Sequence, residues 1–132
     1  MPTTAVYAAL LALLFVVLSV RVINARSTAK VMLGDAGNVA LQRRMRAHAN
    51  FAEYVPMAVV SMVLAEGLLA SALLMHGMGV ALLVGRLLHS IGISQTDEPF
   101  WMRVAGTAMT FAVMIVGALA CLWLGLHKLG KL

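Results

Sequence analysis

The chain has 132 residues, of which 62% are hydrophobic and 11% are charged, whereas a soluble domain has roughly 25% charged residues. A water-facing surface cannot be built from this composition, so we predict an all-α integral membrane protein with a single domain over residues 1–132. The net charge of +5 does not indicate nucleic-acid binding, because the basic residues flank apolar stretches and have no stacking aromatic residues among them.

Four apolar stretches, at residues 7–22, 56–74, 80–93 and 104–126, predict a bundle of four transmembrane helices, since about 20 residues of helix cross the hydrocarbon core. The third stretch is short and needs its flanking residues to span. We expect the first stretch to be a transmembrane helix rather than a secretory signal peptide, because no Lys or Arg precedes Tyr7.

The connections between the stretches differ in composition. Residues 27–38 collect four residues that favour turns, namely Gly34, Asp35, Gly37 and Asn38. Asn38 can cap a second helix that starts at Val39, well before the sequence becomes apolar. We place the second connection at residues 75–78. Basic residues flank the first loop and Arg103 lies in the third, while the second has none, so loops one and three are predicted to be cytoplasmic.

The start of the second helix carries a polar stripe, which consists of Arg43, Arg46, Asn50 and Glu53. Their spacing of i, i+3, i+7 and i+10 places these side chains on one helix face. Charged and amide groups are costly against lipid, so this face must contact other helices or a hydrated cavity.

Two further helices bring polar groups to the same side of the membrane. On the third helix Arg86 and His89 stand three residues apart, and Arg103 begins the fourth. Several arginines with one carboxylate and one amide suit a small, mostly anionic ligand, because guanidinium binds carboxylates in a bidentate manner and Glu53 can receive an ammonium group. A zwitterionic peptide fits this description.

Some of these residues also have simpler interpretations. Arg43 and Arg44 can serve only as anchors at the membrane edge, and Glu53 can pair with an arginine between helices. His48 and His89 are not spaced as a metal site with other ligands, so no metal site is predicted. Glu66 is left without a role, since it can either reach the outer surface or pair between helices.

Two sequence segments resemble a known family, the membrane-associated proteins in eicosanoid and glutathione metabolism, or MAPEG family. The segments are Arg46-Ala47-His48-Ala49-Asn50, followed by Glu53-Tyr54 and Pro56, and Gly85-Arg86-Leu87-Leu88-His89. Members include microsomal glutathione transferases, prostaglandin E synthase and leukotriene C synthase, and this chain is most similar to the short bacterial members. The resemblance implies a MAPEG-like four-helix protomer in a bacterial inner membrane, assembled as a homotrimer.

The resemblance also implies that glutathione binds between neighbouring protomers near the cytoplasmic side. The residues expected to hold or surround it are Arg26, Arg46, His48, Asn50, Glu53, Tyr54, Arg86 and His89. Arg103 matches the catalytic arginine, which stabilises the glutathione thiolate. A cation lowers the pKa of a neighbouring thiol, and the thiolate is the nucleophile.

The function implied by the resemblance is that of a microsomal-type glutathione transferase or peroxidase acting on a hydrophobic small-molecule electrophile that enters from the membrane lipid. Eicosanoid synthesis is not expected, because Ile93 stands where eicosanoid-forming members have a tyrosine. The alternative is a non-catalytic membrane protein of the same fold that binds a lipid or another ligand, since the family also contains such a member.

Overall fold

The computed structural model describes residues 1–95 and 99–130. Four helices account for most of this part of the chain: α1 (Pro2–Ala29), α2 (Val39–Gly67), α3 (Ala72–Ser94) and α4 (Phe100–Lys128). No β-strand occurs among the described residues. The predicted all-α architecture is therefore confirmed.

Polar side chains cap the starts of two helices. The Asn38 side chain accepts a hydrogen bond from the backbone N–H of Leu41 at 3.0 Å, which confirms the predicted start of α2 at Val39. Ser71 accepts one from the backbone N–H of Leu74 at 3.3 Å and caps α3 in the same way. Such caps satisfy backbone donors that have no partner inside the helix.

The second connection lies at residues 68–71, and its predicted position at 75–78 is wrong. Met75 and Met78 are buried residues of α3. The turn is short and apolar, and Leu69 adopts a left-handed backbone with φ 72°. Because hydrophobicity continues through the turn, the apolar stretch at 56–74 does not reveal where α2 ends. The earlier start gives α3 23 residues, enough to cross the roughly 20-residue hydrocarbon core.

Three helices, α1, α3 and α4, are long and apolar enough to cross a membrane. The exception is α2, because its first half carries the polar stripe. With 29 residues it is still about 43 Å long, longer than the hydrocarbon core of about 30 Å. It crosses as part of the bundle, packed against the other three helices.

The helices form a layered arrangement in which α2 and α3 pack together and each also contacts both α1 and α4. Within the described residues α1 and α4 make no direct contact, so they lie on opposite sides of the α2–α3 pair. Buried side chains from all four helices form one core, which includes Leu11, Phe51, Leu82 and Val113. On its packed faces, α2 therefore contacts three different helices.

Glycines bring α3 and α4 into close contact. A Cβ atom on Gly85 would lie 3.1 Å from the Gly106 carbonyl oxygen, and one on Gly106 would lie 2.7 Å from the His89 nitrogen. Gly92 faces the backbone nitrogen of Arg103 in the same way, at 3.1 Å. Small residues allow transmembrane helices to approach this closely, and here they fix the first turns of α4 against the end of α3.

Glu66 binds the start of α1. Its two carboxylate oxygens accept hydrogen bonds from the backbone N–H groups of Thr3 and Thr4, at 3.0 and 2.9 Å, and the Met1 amino group lies 4.0 Å away. A carboxylate at this position satisfies unpaired donors and complements the positive end of the helix dipole. The sequence left Glu66 without a role, and the structure shows that it pairs α2 with α1.

Candidate functional site

Three arginines from two helices line one cleft. Arg43 and Arg46 from the start of α2 and Arg103 from α4 surround a space of about 230 Å³, together with Ile93, Val39 and Gln42. The guanidinium group of Arg43 donates a hydrogen bond to the Ile93 carbonyl oxygen at 3.4 Å. We name this space the arginine cleft. Its concentration of positive charge suits an anion, because guanidinium groups bind carboxylates well.

An acidic residue lies near one arginine of the cleft. Arg46 and Glu53 approach to 4.0 Å, with their side chains 61% and 50% exposed. They lie on one face of α2, as the spacing predicted. An exposed charged pair on a membrane helix is costly against lipid, so this face requires a polar partner.

Behind this face, Arg86 of α3 is 1% exposed and forms a buried polar network. Its Nη2 donates to Asn50 Oδ1 at 2.8 Å and to His89 Nδ1 at 3.2 Å, and its Nη1 donates to Thr110 Oγ1 at 3.3 Å. The guanidinium carbon lies 5.7 Å from the centre of the Phe51 ring. The network ties α2, α3 and α4 together, and Asn50 connects it to the face that carries Arg46.

Tyr54 lies on the α4 side of α2, where its ring centre is 5.4 Å from that of Phe111. A groove of about 400 Å³ extends from Arg103 along α4 and is lined by Phe100, Val104, Thr107, Ala108 and Phe111. Apart from Arg103 and Thr107 this lining is apolar. An apolar groove therefore adjoins the arginine cleft.

Two predicted site residues, Arg26 of α1 and His48 of α2, lie on the side of α2 that faces α1, away from the arginine cleft. Arg26 donates to the Gly34 carbonyl oxygen at 2.8 Å and to Met45 Sδ at 3.4 Å. His48 is hydrogen-bonded to Ser19 Oγ at 3.1 Å, and its ring stacks on Phe15 with centroids 4.6 Å apart. Since α1 and α4 lie on opposite sides of the α2–α3 pair, one protomer does not bring Arg26 and Arg103 together.

The remaining predicted residues gather on the α3–α4 side: Arg46, Asn50, Glu53, Tyr54, Arg86, His89 and Arg103. Sequence reasoning missed Thr110, whose hydroxyl accepts from Arg86 and donates to the Gly106 carbonyl oxygen at 2.8 Å. A signal for it exists, because Arg103, Gly106 and Thr110 follow the helical spacing i, i+3, i+7.

The fold and the site define a class of protein: a four-helix integral membrane protein with a cluster of arginines, an amide and a carboxylate on the side formed by α2, α3 and α4. The sequence model of the MAPEG family matches residues 4–123, and the chain belongs to this family. Its four-helix membrane bundle is the fold of the family.

Two curated relatives are similar over most of their length. Both carry the name inner membrane protein YecN, one from Escherichia coli strain K12 and one from E. coli O6:H1, strain CFT073. Each is 37% identical to this chain over 120 residues, which cover 91% of the chain and 90% of the relative. With three helices apolar enough to span a bilayer, the chain is likewise an integral protein of the inner membrane.

Proposed function

We propose that the protein is a glutathione-dependent transferase or peroxidase that acts on lipophilic electrophiles. The observation that carries this proposal is the arginine cleft, in which Arg43, Arg46 and Arg103 converge beside the exposed carboxylate of Glu53. Membership of a family associated with glutathione and eicosanoid metabolism supports the proposal.

The charges of glutathione match those of the cleft. The tripeptide carries two carboxylates, one ammonium group and a thiol, and its net charge is negative. Arg46 and its neighbours bind the carboxylates, while Glu53 receives the ammonium group and Asn50 contributes hydrogen bonds. Tyr54 borders the same region, and the buried pair Arg86 and His89 supports it from behind.

Arg103 is the proposed catalytic residue because its guanidinium group stabilises the negative charge of the glutathione thiolate. The thiol loses its proton to solvent, and the thiolate sulfur then attacks the electrophile. In transfer, a carbon–sulfur bond forms as the leaving group departs with its electron pair. In peroxide reduction, the sulfur takes the terminal oxygen as the O–O bond breaks, and the alkoxide departs with the electron pair and takes up a proton. A second glutathione thiol then attacks the resulting sulfenic acid, which forms the disulfide and releases the oxygen as water.

The apolar groove beside Arg103 supports a lipophilic second substrate. It runs along α4 from Phe100 to Phe111 and adjoins the arginine cleft. A hydrophobic molecule dissolved in the membrane lipid can lie in this groove with its reactive atom near the thiolate.

We further propose that the site forms between protomers of a homotrimer. Arg26 and His48 lie on the α1 side of α2, whereas Arg103 lies on the α4 side. All three can act on one glutathione molecule only if a second copy places its α1 side against the cleft. The exposed Arg46–Glu53 pair is the polar surface that this neighbour would cover.

The test of glutathione binding is calorimetric titration of the detergent-purified protein. We expect wild type to bind at millimolar concentrations or below, and Arg46→Ala to weaken binding by roughly tenfold or more, because a charge-assisted hydrogen bond is lost. Arg44→Ala is the matched control, since Arg44 neighbours the stripe on another face of α2, and it should bind as wild type does.

Two results would contradict the proposal. If wild type does not bind glutathione, the enzyme interpretation is wrong and the non-catalytic, ligand-binding alternative is favoured. An equal loss in Arg44→Ala and Arg46→Ala would mean that only overall positive charge attracts glutathione, without a built site.

The orientation that we propose puts the loops after α1 and after α3 in the cytoplasm, as the basic residues indicate. In a Cys121→Ser background, an impermeant maleimide added outside the inner membrane should label Leu73→Cys and spare Met32→Cys. Both positions are highly exposed, at 84% and 97%. The reverse labelling pattern would invert the proposed topology.

A further inference from the structure

One uncharged polar side chain lines the arginine cleft. Gln42 lies near the start of α2 and lines the cleft together with Arg43, Arg46 and Arg103. The residue is exposed, and within residues 1–95 and 99–130 no hydrogen bond engages its side-chain amide. The amide of Gln42 is therefore available to a ligand in the cleft.

Gln42 shares a helix face with two of the residues proposed to bind the ligand. It precedes Arg46 by four residues and Glu53 by eleven, which are close to one and three whole turns of α-helix. The polar stripe predicted from the sequence did not include Gln42, because an uncharged residue outside the apolar stretches gives no signal of its own. The structure adds it to this face.

The arginines of the cleft select for charge alone. A guanidinium group has five N–H donors and no acceptor, so Arg43, Arg46 and Arg103 attract any small anion, including a simple dicarboxylate. They give no advantage to an anion that also carries an amide N–H group. A hydrogen-bond acceptor without a negative charge is what distinguishes such a ligand, since a carboxylate in the cleft would repel it.

We propose that Gln42 is a specificity-determining residue of the arginine cleft, and that its amide oxygen accepts a hydrogen bond from an amide N–H of the ligand. A side-chain amide also has two N–H donors, so it can pair with both the N–H and the carbonyl group of a peptide bond. The cleft thus favours an anion with an amide bond over an anion of equal charge without one. The inference that this anion is glutathione, which has two amide bonds, rests on the proposed function.

The preference itself can be measured with two dicarboxylates and without glutathione. Glutarate and N-acetylglutamate both carry two carboxylates on the same carbon chain, but only N-acetylglutamate has an amide group. Calorimetric titration of the detergent-purified protein should show that N-acetylglutamate binds more tightly than glutarate by about twofold to tenfold, as expected for one neutral hydrogen bond.

Variants at Gln42 separate hydrogen bonding from charge. In Gln42→Met the amide is lost, so N-acetylglutamate should bind no better than glutarate, whose own affinity stays unchanged. Gln42→Glu keeps an acceptor and adds a negative charge, so both dicarboxylates should bind more weakly while most of the preference remains. Gln95→Met is the matched control, because this exposed glutamine is not among the described residues that line the cleft, and it should behave as wild type does.

Titration of the same variants with glutathione connects the preference to the proposed function. Gln42→Met should weaken glutathione binding by about twofold to tenfold, while the thiolate still forms at saturation because Arg103 is intact. The unfolding midpoint should not change, since the replaced side chain is exposed and makes no hydrogen bond within the described residues.

The outcomes separate the two proposals. The role of Gln42 would be overturned by equal affinity of wild type for the two dicarboxylates, by a lack of binding of both, or by a preference that persists in Gln42→Met. If wild type prefers N-acetylglutamate through Gln42 but binds no glutathione, the role of Gln42 stands and the proposed function fails. If glutathione binds equally well to wild type and Gln42→Met, the proposed function stands and Gln42 does not contact the amide bonds of glutathione.

Discussion

Two acidic residues of α2, Glu66 and Glu53, differ in their burial and in their partners. The side chain of Glu66 is 10% exposed and accepts hydrogen bonds from the first backbone N–H groups of α1. The side chain of Glu53 is 50% exposed and, within residues 1–95 and 99–130, its ion-pair contact is with Arg46 at 4.0 Å. We interpret Glu66 as a structural residue and Glu53 as a ligand-binding residue.

Replacement of these two residues should therefore affect different properties. We expect Glu66→Ala to lower the thermal unfolding midpoint in detergent by several degrees, because the start of α1 loses its cap, while glutathione affinity is largely kept. Glu53→Ala should do the opposite, with weaker binding and an unchanged midpoint. Equal destabilisation by both variants would contradict the separation of roles.

Sequence reasoning at the residue scale succeeded where helical spacing alone decides geometry. The stripe on α2 predicted the shared face of Arg46 and Glu53, and this is confirmed by their contact. It could not predict the partners of Arg86, because Asn50 and Thr110 are 36 and 24 residues away in sequence and only helix packing brings them to it. For the same reason, the sequence could not predict that Glu66 binds the start of α1.

At the scale of elements, the contact between α3 and α4 positions the site. Gly106 faces the backbone of Gly85 and His89, and Gly92 faces the first turns of α4 near Arg103. Because these contacts involve backbone atoms, neither helix can move aside without displacing His89 and Arg103. The glycine contact therefore holds Arg103, the proposed catalytic arginine, at the end of α3.

Adding one methyl group should disturb this contact. We expect Gly106→Ala to lower stability by about 1–3 kcal/mol, as overpacking does, and to reduce glutathione affinity because His89 and Thr110 shift. Gly125→Ala is the matched control on the same helix, since nothing lies within 4 Å of its added Cβ. Thermal unfolding of both variants checks this, and a stable Gly106→Ala with normal binding would contradict it.

Helix boundaries were predictable only where polar residues mark them. Asn38 marked the start of α2 correctly, because its side chain caps the helix. The turn between α2 and α3 escaped prediction, because residues 68–70 are apolar and a membrane protein does not need a polar segment for a short turn. Ser71, which caps α3, and Gly67, at which α2 ends, were the local signals of this turn.

At the scale of the whole molecule, the predicted site residues divide into two groups on opposite sides of the α2–α3 pair. On one side, Arg26 at the end of α1 binds the first loop, and His48 of α2 contacts α1. On the other side, Arg103 and Tyr54 lie towards α4. The proposed site therefore requires two protomers, and in the proposed closed ring every protomer supplies both halves.

This arrangement predicts complementation between two inactive variants. Arg26→Ala and Arg103→Ala should each lose most glutathione conjugation, measured with a generic aryl halide. When the two are co-expressed and mix at random, about a quarter of the interfaces combine an intact Arg26 with an intact Arg103. We therefore expect activity near a quarter of the wild-type value.

A site built within one protomer predicts a different result. Mixed oligomers would then be no more active than the two variants measured separately. Separately purified variants that are combined only after solubilisation provide the control, since they cannot exchange protomers if the oligomer is stable.

The central claim is that Arg103 stabilises a glutathione thiolate in the arginine cleft, and ultraviolet thiolate absorbance during titration with glutathione tests it most directly. A free thiol has a pKa of about 8.5, and a neighbouring cation lowers it. Wild type at saturating glutathione should show thiolate at neutral pH, and Arg103→Leu should show it only as the pH approaches the value for the free thiol. Bound glutathione without thiolate in wild type, or equal thiolate in Arg103→Leu, would contradict the claim.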